Sequence, residues 1–205
     1  MRPGRSPFEE AEHQRWSLRT YAEDSSSHTG SSMIAGSDNS MTAANREYAQ
    51  VLASLYALEA AKGMDFKLER VTLTLRNVGN PHHQFASLHI AGTNGKGSVA
   101  AMLHAMFSAG GYRVGLYTSP HLVSFTERIR VGSECISPQE VVDLARAIRD
   151  AGPVRGIDLT FFEFVTAMAF LHFARRHVEL AVVEVGLGGR LDATNVVDPE
   201  VAVIT

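Results

Sequence analysis

The residues best suited to chemistry lie in one run, Gly92-Thr93-Asn94-Gly95-Lys96-Gly97-Ser98. Glycines let a backbone approach phosphate oxygens without a side-chain clash. The N–H groups of such a turn, and of a helix starting from it, donate to those oxygens. Lys96 adds a positive charge near the terminal phosphates, and Ser98 adds a hydroxyl. The spacing departs from the standard Walker A pattern: Ile90 stands where the first glycine belongs, and Gly97 directly follows the lysine. An ordinary glycine turn is the alternative. The context favours a nucleotide phosphate cradle, because a short strand precedes the run and a helical pattern follows it.

A second candidate is Glu184, which closes the apolar run Leu180-Ala181-Val182-Val183. A carboxylate at the C-terminal end of a parallel strand beside the glycine loop could hold Mg²⁺. A solvated strand-end glutamate is the competing reading. The loop Gly186-Leu187-Gly188-Gly189-Arg190-Leu191-Asp192-Ala193-Thr194-Asn195 follows at once, with more polar side chains than a tight surface turn requires.

Several elements must position these groups. From about Thr42, Tyr48, Val51, Leu52, Leu55 and Leu58 recur at helical spacing, and Gly63 stands as a C-terminal cap. Ser87–Ala91 reads as a strand. The helix after the glycine loop carries Val99, Met102, Leu103, Met106 and Phe107 on one face. Arg113–Tyr117 and Phe125–Val131 are further strand candidates. Ser137, Pro138 and Glu140 form a capping box ahead of a helix with Val141, Val142, Leu144, Ala145 and Ile148 on its apolar face. Phe161–His177 is a helix apolar around much of its circumference, and so well buried. Leu180–Val185 and Val201–Ile204 read as strands buried in a parallel sheet. Strands alternating with helices predict an α/β fold with a mostly parallel sheet flanked by helices. Residues 1–41, with the polar stretch Ser25–Ser32, read as a disordered extension.

The composition of the 205 residues bounds the partners. A formal net charge of −3 gives no bulk attraction to nucleic acid or an anionic membrane. No apolar run reaches the length of a membrane span. The single cysteine, Cys135, forms no internal disulfide, which fits a cytoplasmic setting.

Five segments occur in an informative order: HIAGTNGKGS (His89–Ser98), YTSPHL (Tyr117–Leu122), ERIRV (Glu127–Val131), TFFEF (Thr160–Phe164) and EVGLGGRLDATN (Glu184–Asn195). From about Ala49 onward the chain resembles the N-terminal part of the bacterial dihydrofolate synthase/folylpolyglutamate synthase family, within the Mur ligase superfamily. The glycine loop is shared across that superfamily, whereas YTSPHL, TFFEF and GLGGRLDATN are much more specific to its folate branch. The resemblance implies a P-loop-type, Mur ligase central-domain-like fold, with 42–205 as the N-terminal ATP-binding domain. It also implies ATP and Mg²⁺ as cofactors, and ligation of L-glutamate to the carboxylate of dihydropteroate or a tetrahydrofolate-type substrate through an acyl phosphate.

Carried over by position, Gly92 to Ser98 would cradle ATP, with Lys96 catalytic. Ser119 and Glu184 would hold the metal. Phe66, within Met64–Lys67, would meet the pterin-bearing substrate, as would Thr160, Phe161, Phe162 and Glu163 and then Leu191, Asp192 and Ala193. Phe162 suits an aromatic wall and Asp192 a partner for ring or amino nitrogens, while Phe161 and Phe164 suit core positions. One departure is Lys67, where the family has glycine. Another is that the chain stops in the strand Val201–Thr205, without the family's C-terminal domain, where glutamate is mainly bound. The sequence-based expectation is a fold incomplete at its C-terminus and a fragment inactive alone. A Mur-type ligase acting on another carboxylate and a non-catalytic ATP- or pterin-binding fragment are the alternatives. His82 and His83 are expected to be exposed in a loop, Arg128 and Arg130 to face either an anionic substrate tail or solvent, and Cys135 to be structural.

Overall fold

The computed structural model describes residues 38–62, 67–151 and 159–205. The expected disordered extension falls outside them up to residue 37, as do Gly63, Met64 and Phe66. Among the described residues five α-helices and six strands occur. Helix α1 spans Asp38–Lys62, beginning before the expected start at Thr42. Helix α2 spans Leu68–Asn77, followed by a 3₁₀ turn at Pro81–His83. Strand β1 (Ala86–Ala91) leads through the glycine loop into α3 (Lys96–Ala109). Then come β2 (Val114–Tyr117), β3 (Ile129–Val131), β4 (Glu134–Cys135) and α4 (Pro138–Asp150). Helix α5 (Phe161–Arg175), β5 (Leu180–Glu184) and β6 (Val201–Ile204) complete the order.

The strands form one sheet in the order β4-β3-β2-β5-β1-β6. Strands β2, β5, β1 and β6 run parallel, whereas β3 and β4 are antiparallel additions at one edge. Strand alternation divides the core in two. Leu88, Ile90, Leu180 and Val182 pack with Ala100 of α3 on one face. Ala181, Val183 and Tyr117 turn to the other face, against α1, α2, α4 and α5. Helix α5 lies deepest, with Val165, Ala167, Met168, Ala169, Phe170 and Phe173 fully buried. Its apolar circumference follows from that position between the sheet and the outer helices. The capping box at Ser137 forms as expected, and Val141, Val142, Leu144, Ala145 and Ile148 are all buried.

Four expectations need correction. Phe125–Arg128 is a 3₁₀ turn, leaving only Ile129–Val131 as strand. The cause is a second capping box: Ser124 caps the turn, and the Glu127 carboxylate accepts from the N–H groups of Leu122 (2.8 Å), Val123 (3.1 Å) and Ser124 (2.8 Å). On α3, Met102 and Met106 are 56% and 68% exposed, since Ala100 and His104 hold the sheet-facing positions, flanked by half-buried Leu103 and Phe107. Strand β6 is an exposed edge rather than a buried strand, with Ile204 86% exposed. His82 is buried against Phe170, not solvent-exposed. Burial, and then the neighbouring His83, lower its pKa to about 4.

Candidate functional site

The glycine loop sits at the C-terminal end of β1, in the centre of the parallel part of the sheet. Gly92 and Gly95 have φ of 139° and 80°, a region that disfavours side chains. Gly92 has a second reason to lack a side chain: a Cβ there would stand 2.8 Å from the Thr205 nitrogen. Thr205 itself donates its N–H to Ala91 O (2.9 Å) and its hydroxyl to Asn94 O (2.6 Å), bracing the loop from β6. Gly95 is the N-cap of α3 and provides no side-chain cap. The first-turn N–H groups of Lys96, Gly97 and Ser98 therefore remain for another acceptor. Thr93, Asn94 and Ser98 are exposed. The Lys96 ammonium folds back to donate to Gly92 O at 3.0 Å.

Glu184 ends β5, beside β1, in the same alternation class as Leu180 and Val182, which face α3. It is 5% exposed, so it is not the solvated strand-end glutamate of the competing reading. Its Oε2 accepts from the backbone N–H of Ser119 at 3.0 Å, in the turn after β2. A Cβ on Gly97 would lie 3.6 Å from its other oxygen. Burial pushes the Glu184 pKa up, against the pull of the Ser119 N–H and the Lys96 charge. The Ser119 hydroxyl and the Glu184 carboxylate form a hard oxygen donor pair suited to Mg²⁺. Among the described residues no cluster of three or more metal-ligating side chains exists. An ion here would take its remaining ligands from phosphate and water, as Mg²⁺ commonly does.

Beyond the Ser119 turn opens a cavity of about 330 Å³. Thr160, Phe161, Phe162 and Glu163 line it from the start of α5, and Leu191, Asp192 and Ala193 from the loop after β5. Two segments far apart in sequence thus meet at one cavity. Phe162 stacks on Tyr117 with centroids 5.9 Å apart, and its ring stands where a Cβ on Gly186 would be. Phe161 and Phe164 are buried core residues, although one side of Phe161 reaches the cavity.

Two buried acids around this cavity are already partnered. Thr160 and Glu163 form a third capping box, with Thr160 N donating to Glu163 at 2.7 Å. Arg70 of α2 donates to the same carboxylate from Nε (3.1 Å) and Nη2 (3.0 Å). Asp192 is buried and accepts from the backbone N–H groups of Leu187 (2.9 Å) and Thr194 (3.0 Å), and from the Thr194 hydroxyl. Because that hydroxyl spends its proton on Asp192, it accepts from His89 Nε2 at 2.8 Å. Burial lowers the His89 pKa, with Asp192 opposing, which keeps the ring neutral for this bond. The chain His89–Thr194–Asp192 ties β1, one turn before the glycine loop, to the cavity wall.

Sequence reasoning left Arg70, His89 and Thr194 without roles, because their partners lie far away in sequence. Arg128 lines the cavity as well, from the 3₁₀ turn. Its Nε donates to His121 Nδ1 at 2.8 Å, and its guanidinium lies 5.2 Å from the Phe161 ring centroid. Arg130 is half-buried and does not line the cavity: its Nε is buried without a protein acceptor among the described residues, on the α3 side of the sheet with Leu116.

A glycine loop joining a strand to a helix, beside a buried strand-end glutamate, defines an α/β domain of the phosphate-loop class. Compared with protein-family models, the chain matches none. It is 42% identical over 146 residues to the dihydrofolate synthase/folylpolyglutamate synthase of Escherichia coli, covering 71% of the chain and 34% of that protein. It is 45% identical over 154 residues to the Mycobacterium tuberculosis protein of the same name, covering 69% of the chain and 31% of that protein. The solved structure of E. coli FolC in complex with DHPP and ADP superposes with a TM-score of 0.71 at 40% identity, over 76% of this chain and 37% of that one. Over the part it spans, the chain is a homologue of the dihydrofolate synthase/folylpolyglutamate synthases. It spans roughly a third of the length of these relatives.

Proposed function

We propose that this chain carries the ATP cradle and pterin pocket of a ligase that joins L-glutamate to a dihydropteroate- or folate-type carboxylate. The observation that carries this reading is the meeting of three features at one end of the sheet. They are the open glycine loop, the Ser119–Glu184 oxygen pair, and a flat-walled cavity between Phe162 and Asp192. The similarity to proteins that bind DHPP and ADP supports it.

In this reading the free N–H groups of Gly92 to Ser98 receive the phosphates of ATP. Lys96 leaves the Gly92 carbonyl and turns its charge to the terminal phosphate. Ser119 and Glu184 hold Mg²⁺, whose role when bound is to neutralise phosphate charge. Phe162 offers its face to the pterin ring. Asp192, fixed by Leu187, Thr194 and His89, uses its remaining lone pairs for ring or amino nitrogens. Thr160, Phe161, Glu163, Leu191 and Ala193 shape the walls; Phe66 lies outside the described residues and keeps the wall position assigned from sequence.

The substrate carboxylate attacks the γ-phosphorus and ADP departs, leaving an acyl phosphate. The neutral glutamate amine then attacks the acyl carbon, phosphate leaves with the bond electrons, and the amine's surplus proton passes to the departing phosphate or to water. Such chemistry needs positioning and charge stabilisation more than covalent help from the protein. No helix among the described residues is long and apolar enough to cross a membrane. We place the reaction in the cytoplasm, where ATP and reduced pterins would be available and Cys135 stays a thiol. The test is phosphate release by the protein from MgATP on adding dihydropteroate and L-glutamate. Silence there, with turnover on a UDP-sugar peptide, would exclude the folate assignment in favour of another Mur-type carboxylate.

A further inference from the structure

Two buried carboxylates of the pocket wall are neutralised from within, Glu163 by Arg70 and Asp192 by backbone N–H groups and Thr194, whereas Glu59 of α1 lines the cavity from an exposed position. Arg128 is the reverse case. It is 7% exposed and lines the cavity, yet among the described residues no carboxylate pairs with it. Its only side-chain hydrogen bond there goes from Nε to His121, which leaves the two Nη groups without a protein acceptor. Arg128 forms part of the cavity wall, so these groups are available to a ligand there. A buried cation without a counter-charge is costly, and it persists where a ligand supplies the charge. The guanidinium is also aimed. His121 fixes one edge and the Phe161 face fixes its plane, so the remaining edge presents two parallel N–H donors. That geometry matches a carboxylate, which accepts in bidentate fashion.

We infer that Arg128 is the anion-recognising residue of this pocket and that it holds the carboxylate end of the aromatic substrate while Phe162 holds the ring. His121 acts as its positioning residue. The inference rests on the pterin-carboxylate reading above and adds to it a residue that selects charge. It explains why the ERIRV segment departs from simple strand alternation: the 3₁₀ turn set by Ser124 and Glu127 swings Arg128 inward, whereas Arg130 remains on the α3 face of the sheet.

The experiment compares pteroate with its neutral methyl ester, by calorimetric titration of the 205-residue chain and its variants. The wild-type chain is expected to prefer pteroate by about tenfold or more, the usual size of a charge-assisted pair. Arg128→Gln should abolish that preference while leaving ester affinity within about twofold. Arg128→Lys keeps the charge and stem, guards against a misfolded glutamine variant, and should retain only part of the preference. An undiminished preference in either variant would overturn the inference. Equal loss of both ligands in a variant with an unchanged melting temperature would also overturn it, making Arg128 a wall-packing residue. Failure of the wild-type chain to bind either ligand would instead sink the pterin reading, and this inference with it.

Discussion

The glycine-loop end and the cavity end of the site use opposite building rules. Around Gly92 to Ser98 the chain leaves polar groups open: the α3 N-terminus has no side-chain cap, and among the described residues Lys96 donates to a loop carbonyl rather than to an acid. Around Phe162 and Asp192 nearly every polar group is partnered, through two capping-type loops, one ion pair and the His89 chain. An open end awaits a highly charged ligand that brings its own acceptors. A satisfied end presents a fixed shape to a flat, mostly apolar ligand. Arg128, buried there with no carboxylate partner among the described residues, stands out for that reason.

This contrast can be broken by substitution. Glu163→Ala removes a cap and the Arg70 ion pair, so the chain should lose about 2–3 kcal/mol of stability in denaturant unfolding. If it loses less than about 1 kcal/mol, the cavity end is not held by its internal polar network. Gly186→Ala drives a Cβ into the Phe162 ring; overpacking of this kind costs about 1–3 kcal/mol. Pteroate affinity should fall about tenfold while ATP affinity holds, and equal losses of both would mean that the two ends are not separable. Thr194→Val cuts the His89–Asp192 chain and should cost about 1–2 kcal/mol by leaving buried groups unpaired. A melting temperature unchanged by it would make that chain incidental.

The smallest effect is a pH dependence. Burial lowers the pKa of His82 to about 4, and burial also holds His89, His104, His121 and His172 below the ordinary histidine value. In each the unfolded state binds the proton more readily. Stability is therefore full above about pH 6.5 and falls as pH drops toward 4. His82→Phe should flatten this slope between those limits in chemical unfolding at a series of pH values. A slope identical to wild type would mean that His82 titrates normally.

How much of this was legible depended on how local the cause was. Strands β1, β2 and β5 and helix α4 were readable because periodicity and caps act within one element. The box at Ser124–Glu127 carries the same Ser-x-x-Glu signal as Ser137–Glu140, yet the alternation of Ile129 and Val131 concealed it. Strand β6 has the composition of a buried strand, and over the span of this chain it is exposed. His82 gave no sign of burial because Phe170, its cover, lies on α5. The glycine loop and the Phe162 wall could be named from sequence; the partners of Glu163, Asp192 and Arg128 could not, since each arises only when separate elements pack.

The account stands most directly on the affinity of MgATP for the 205-residue chain and for Lys96→Ala, measured by calorimetric titration. It predicts that wild type binds MgATP and that Lys96→Ala loses this binding, while pteroate affinity and melting temperature stay as they were. An unchanged MgATP affinity in Lys96→Ala would contradict the assignment of Gly92 to Ser98 as the phosphate cradle.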